Sequence, residues 1–252
     1  MNGKRPYKLP EPLLWSADKE INLTLVNEYI RKHEERMPRY NYLENLYKGF
    51  HDVFHLPEKE SWKPDNRLAV NFPRYITETF LGYAYGIPVK KSHPDTKIKD
   101  AIIEFDRDND ISDQEYELAK KCCIYGHAFE YFYQDEEAKT KTVICNPKEL
   151  FVVYDDTVKN RALFAIRYGY RDDKVTRHGE ILTREKIIQF EGGIMQESIP
   201  NPYGRINCVE YMLNDERIGL YEEVAGMIEV YNRVIGEKAN DVDSFAEAYL
   251  AV

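Results

Sequence analysis

The sequence predicts an α+β protein: helices packed on a mainly antiparallel, meander-like sheet, followed by one long amphipathic C-terminal helix. Three observations carry that reading. Apolar residues recur every three or four positions up to Ile124, as they do on helices. From His127 the pattern changes to alternation, with turn residues between the runs. From Gly219 a helical stripe returns and persists almost to the end of the sequence.

Taken in order, residues 1–20 carry Pro6, Pro10 and Pro12 and read as an extended, partly mobile arm. Ile21, Leu25, Val26, Tyr29 and Ile30 mark an amphipathic helix to Glu35, which Pro38 ends. A second helix, Tyr40 to Lys48, carries Leu43, Leu46 and Tyr47 and stops at Gly49. The stretch HDVFHLPEKESWKPD reads as a polar loop. It leads into Asp65–Val89, where Leu68 and Val70 have strand spacing and Asn71 suits a helix cap. Pro73 fits the first turn of the helix that follows, since its missing N–H costs nothing there. Ile76, Phe80, Leu81 and Ala84 give that helix an apolar stripe expected in a core, and Gly86-Ile87-Pro88 stops it.

A further helix is expected near Ile98–Asp106. Another opens at Ser112, with Glu115 at capping-box spacing, and Gly126 closes it. Strands follow at His127–Tyr133, Thr140–Cys145, Leu150–Tyr154, Arg161–Arg171, Lys174–Leu182, Lys186–Glu191 and Cys208–Leu213. Asp172-Asp173 and Gly192-Gly193 read as turns, and Asn201-Pro202-Tyr203-Gly204 as a loop. The last helix, about Gly219 to Ala248, would be roughly 45 Å long. Leu220, Val224, Met227, Ile228, Tyr231, Val234, Ile235, Val242, Phe245 and Tyr249 form its stripe. Glu222, Glu223, Glu229, Glu237, Asp241, Asp243 and Glu247 give it an acidic face. A striped helix that outruns its own domain implies partner helices.

Composition narrows the function. The formal charge of −9 lacks the clustered Lys and Arg with which a protein grips DNA phosphates, which argues against tight sequence-independent binding without excluding loose passage of DNA through an acidic, non-adhesive channel. Twenty tyrosines suit packed sheets or large protein interfaces. Cys122, Cys123, Cys145 and Cys208 have no zinc spacing and read as reduced, buried thiols. No apolar run spans a membrane, and the N-terminus is no signal peptide, so a cytoplasmic origin is the default.

Sites of chemistry are weakly signalled. Glycine-rich phosphate loops are absent, so no nucleotide or other cofactor is expected. Asp241-Val242-Asp243 has the first acids of a calcium loop without its glycine or closing glutamate, and reads as a solvated helix face. His51-Asp52 would need further partners to hold a metal. Cys122 or Cys123 with His127 could mimic a thiol–imidazole pair, but the apolar surroundings favour buried thiols. Asp155-Asp156 reads as turn chemistry, and Arg167 as a residue of the solvated sheet face or an interface ion pair. No catalytic residue and no metal ligand is expected. The alternative kept open is an enzyme on an α+β scaffold, such as a metal-dependent nuclease using His51 and Asp52. An interaction module is a third reading.

Six segments in order give a further indication. Leu43–His51, Asn66–Val89, Ile124–Glu130, Asn146–Asp155, Ile206–Asn214 and the helix segments Ile228–Asn232 and Ala239–Leu250 resemble portal proteins of tailed bacteriophages, of the siphovirus type from Gram-positive hosts. Asn146–Asp155 is similar to the family's P-x-E-x-x-x-x-Y-D strand. Ala239–Leu250 is similar to its aNd-x-d-x-F-a-x-a-yL helix. Asn207-Cys208 stands where proline is common, and Glu229 where aspartate is usual.

The resemblance implies a non-enzymatic subunit of the portal ring, the head–tail connector through which double-stranded DNA enters and leaves the capsid. It implies residues 1–217 as the wing, 218–248 as the first stem helix and 249–252 as the start of the clip. The rest of the clip, the second stem helix, the tunnel loop and the crown would be absent, so a truncated form is expected. It further implies a cyclic homo-oligomer of about twelve subunits, with the helix stripe packing subunits and the acidic face lining the channel. Implied partners are terminase, scaffold or capsid proteins, head–tail adaptors, and DNA that passes without specific binding, with no membrane. The implied location is the portal vertex of the virion, and the host cytoplasm during assembly.

Overall fold

The computed structural model describes residues 7–9, 11–15 and 20–250, with side chains to residue 246. The expected α+β class is what the chain adopts. Strand β1 is Leu13–Trp15, and helices α1 and α2 are Leu23–Glu34 and Met37–Lys48. Helices α3, α4 and α5 follow at Phe72–Tyr85, Thr96–Asp108 and Ile111–Tyr125. Next come β2 (His127–Gln134), β3 (Thr140–Cys145), β4 (Leu150–Asp155), β5 (Ala162–Tyr170) and β6 (Arg177–Leu182). The chain closes with β7 (Lys186–Glu191), β8 (Ile194–Pro200), β9 (Cys208–Met212) and the long helix α6 (Ala225–Leu250).

The strands divide into two sheets where one meander was expected. One has the order β1-β4-β5-β6-β7-β8, the other β3-β2-β9. Every pairing is antiparallel except β1 with β4. Alternation along β4 and β5 explains the layering, because both faces of the larger sheet are covered. Phe151, Val153, Phe164 and Ile166 face Leu25, Val26, Tyr29 and Ile30 of α1. Leu150, Val152, Ala165 and Leu182 face Phe129, Tyr131, Cys145 and Cys208 of the smaller sheet. Strands buried on both sides lose the polar half of their alternation, and that is how β4 comes to read LFVV.

Several local expectations change. Part of the arm is docked: Leu13–Trp15 pairs with Val153–Asp155, and the Tyr29 hydroxyl donates to the Leu14 carbonyl at 2.8 Å. Residues 1–6, 10 and 16–19 of that arm lie outside the described residues. Pro38 sits in the first turn of α2, where proline is as welcome as after a helix. Ser112 lies inside α5, whose cap is Asp110 at φ 49° with no capping side-chain bond. Strand β8 escaped notice because it is an edge strand with nearly every side chain exposed. Its hairpin turn, Gly192-Gly193, has both φ values positive, as a tight two-residue turn requires.

Helix α3 is a core helix on one side only. Pro73, Thr77 and Leu81 are buried, with Leu81 against Ala119 and Cys123 of α5, whereas Tyr75, Phe80 and Tyr83 are exposed. At the end of α5, Gly126 takes φ 86°, and a Cβ there would lie 2.0 Å from the Arg217 carbonyl oxygen. Only glycine lets the chain at 217–219 run this close, and the Leu220 amide then donates to the Cys123 carbonyl at 2.7 Å. The end of α5 thereby fixes where α6 begins.

Candidate functional site

Helix α6 starts at Ala225 rather than near Gly219, and the reason is electrostatic. Glu222, expected on the acidic face, is fully interior and paired with Arg39 of α2. The Arg39 Nε donates to Glu222 at 2.9 Å, and its other nitrogens reach the Arg217 and Tyr125 carbonyls at 2.8 and 3.2 Å. The Gly219 amide donates to the same carboxylate at 2.9 Å. Residues 220–224 are therefore coiled as turns beside a buried charge pair, and the helix follows.

A second polar cluster lies beside it. Glu210 accepts from Arg217 at 2.7 and 3.0 Å, from His127 Nδ1 at 2.7 Å and from the Tyr154 hydroxyl. Burial alone would raise the Glu210 carboxyl, but the Arg217 and His127 bonds hold it well below the usual range. Burial keeps His127 neutral, so Nδ1–H donates to Glu210 and Nε2 accepts from the Tyr40 hydroxyl at 2.8 Å. These bonds tie α2, β2 and β9 together, and the chemistry of the group is that of a joint.

Along α6 the expected acidic face is largely taken up by residues 51–71, the stretch expected to be a loop and a short strand. Glu229 accepts from His51 Nδ1 at 2.8 Å and from the Asp52 amide at 2.9 Å. Glu237 accepts from Lys59 at 2.8 Å, and Asp243 accepts from the Asn66 side chain. Asn66 and Val70 donate their amides to Asn240 Oδ1 and Asn232 Oδ1, at 2.6 and 2.8 Å. Leu68 and Val70 thus belong to no sheet: the extended segment runs along a helix. Of the acidic positions whose side chains are described, Glu222 is buried and Glu229 half-buried, whereas Glu223, Glu237, Asp241 and Asp243 are exposed.

The apolar stripe divides. Ile228 is buried, and Leu220 and Ile235 are half-buried. Val224, Met227, Tyr231, Val234, Val242 and Phe245 face outward, with Met227 at 73%, Val242 at 65% and Phe245 at 69% exposure. Val230 joins them, a residue that the stripe as read from the sequence left out. From 227 to 245 these positions recur at helical spacing and define one side of the helix. The amphipathic helix therefore sits with its polar side on the body and its apolar side outward. Among the described residues, Tyr231 alone of these has an aromatic neighbour, Phe72 at the start of α3, 5.5 Å between ring centroids. The side chains of Glu247 and Tyr249 lie outside the described residues, as do residues 251–252.

Other candidates are placed as follows. Among the described residues, no group of three or more His, Cys, Asp or Glu is gathered to hold a metal. Cys122 and Cys123 are buried thiols, pushed up to about 12 by burial, and His127 is engaged elsewhere. Asp155 accepts from Thr157 and from the Arg161 amide in a turn. Arg167 is exposed but lies on the side of β5 that meets the smaller sheet, 5.7 Å from the Tyr131 ring centroid and 3.1 Å from Glu180. A hollow of about 750 Å³ between α3, α5 and the smaller sheet is lined mainly by apolar groups such as Leu118, Cys122, Phe132 and Ile144. No described helix is long and apolar enough to cross a membrane.

Comparison with known proteins adds the following. Residues 26–252 match the family described as "Phage portal protein, SPP1 Gp6-like". The portal protein of Bacillus phage SPP1 is 22% identical over 228 residues, a match that covers 82% of this chain and 44% of that protein.

Proposed function

The chain belongs to the SPP1 Gp6-like family of phage portal proteins, and from that premise we propose that it is a structural subunit of a portal ring and catalyses no reaction. The observation that carries the proposal is the outward apolar side of α6, at Met227, Tyr231, Val234, Val242 and Phe245. A stripe of that extent is stable in water once a neighbour covers it, and a ring offers each subunit such a neighbour on a head-to-tail surface. In this reading the α+β body is the wing, and α6 is the first stem helix.

The ring would sit at the portal vertex after assembly in the host cytoplasm. It would meet terminase, scaffold or capsid proteins and head–tail adaptors. Double-stranded DNA would pass through without specific binding, in keeping with a charge of −9. Of the acidic positions, Glu223, Glu237, Asp241 and Asp243 have the exposure that a channel lining needs. Negative-stain imaging of the purified protein tests the reading. Closed rings of uniform diameter are expected, and dispersed single particles at all concentrations would contradict it.

A further inference from the structure

The inward polar side of α6 is built to receive an extended chain. Asn232, Gly236 and Asn240 repeat every four residues and lie on one side of the helix. Asn232 and Asn240 accept the amides of Val70 and Asn66. Eight helical residues rise about 12 Å, and four extended residues span about 13 Å, so the two bonds fall in register. Between them a Cβ on Gly236 would lie 2.8 Å from the Asn66 carbonyl oxygen. Glycine is what lets the strap lie against the helix. Asn232 is entirely buried, a costly place for an amide: its carbonyl holds Val70, while its Nδ2 has no hydrogen-bond partner among the described residues. Glu229 and Glu237 continue the attachment to His51, Asp52 and Lys59.

We propose that Asn232, Gly236 and Asn240 are positioning residues: by clamping the 66–70 strap they fix the roll of α6, and so decide which side of the helix is offered to a second copy of this chain. The inference rests on the assembly reading above and names the residues that set its surface without taking part in it. A helix with its polar side unclamped would turn its apolar side towards the body, since apolar burial is favourable wherever it can be had.

The double variant Asn232→Ala, Asn240→Ala tests this, with Gly236→Val as a second route to the same release. Amide exchange reads the strap, circular dichroism reads the helix, and light scattering reads self-association. Expected are exchange at Asn66 and Val70 faster by about ten-fold, unchanged helix content, and association weakened by at least about ten-fold. Faster exchange with wild-type association overturns the inference, and so does unchanged exchange at those two amides. Val234→Asp, measured alongside, separates the two readings. If that variant also associates as wild type, the assembly reading is what fails, and the clamp stands or falls on the amide exchange.

Discussion

Arg39 and Glu222 form a buried ion pair that ties the second helix of the chain to the turn preceding its last. Both side chains are removed from water, and the guanidinium also holds the Arg217 and Tyr125 carbonyls. Such a pair stabilises little relative to a well-packed apolar replacement, but removing one partner strands a charge in the interior. Glu222→Ala is therefore expected to destabilise the fold by about 3–5 kcal/mol, measured by urea denaturation. A change within about 0.5 kcal/mol, typical of surface positions, would contradict the burial described.

Acid should destabilise this protein earlier than carboxylate titration alone explains. His33 is buried and neutral, its pKa lowered to about 3 by burial, with Nε2–H donating to the Pro147 carbonyl at 2.8 Å and Nδ1 accepting from the Tyr168 hydroxyl at 2.9 Å. Unfolded histidine titrates near about 6.5, so below that pH the unfolded chain takes up a proton that the folded one refuses. The contribution is complete above about pH 6.5 and declines as pH falls towards 3, by up to about 1.4 kcal/mol per pH unit. His127, also lowered by burial, adds to it, and Glu210 adds its own loss below the usual carboxylate range. A melting temperature flat above pH 7 and falling between 6 and 4 is expected, with a shallower fall in His33→Gln.

The four cysteines should be silent to a thiol reagent. All are buried, and burial raises Cys122 and Cys123 to about 12 and Cys145 to about 11, with Cys208 raised as well. The thiolate is the reactive form, and almost none is present at pH 8. Ellman's reagent should titrate close to no thiol in the native protein and four in denaturant.

Gly126→Ala should be severe. A methyl group there would meet the Arg217 carbonyl in a backbone conformation that favours glycine. A loss of at least about 2 kcal/mol is expected, whereas alanine at exposed Gly226, with nothing within 4 Å of the added carbon, should be neutral or stabilising. Thermal melting of both variants makes the comparison.

Much of this was legible in the sequence, and the residues show why. Helices and paired strands announce themselves through spacing within a few residues, and Asn71, Pro73 and Gly126 mark their ends by local chemistry. The two-sheet division was not legible, because β4 reads the same whether its second face meets helices or another sheet. The strap was misread as a short strand for a related reason. Asn66 and Val70 do extend, but their partners are side chains 174 and 162 residues away on a helix. Glu222 looked like its acidic neighbours, and only its distance from Arg39 reveals it as interior. The stripe of α6 was plain from periodicity, while the direction it faces depends on that strap.

Copies of this chain are expected to meet on the outward side of α6. Light scattering across a hundred-fold range of concentration, on wild type and Val234→Asp, tests it most directly. Val234 is half exposed, so the substitution should leave protomer stability within about 0.5 kcal/mol. The wild type should assemble with concentration, and the variant should stay smaller at every point. Superimposable curves for the two proteins, with the variant folded, would contradict it.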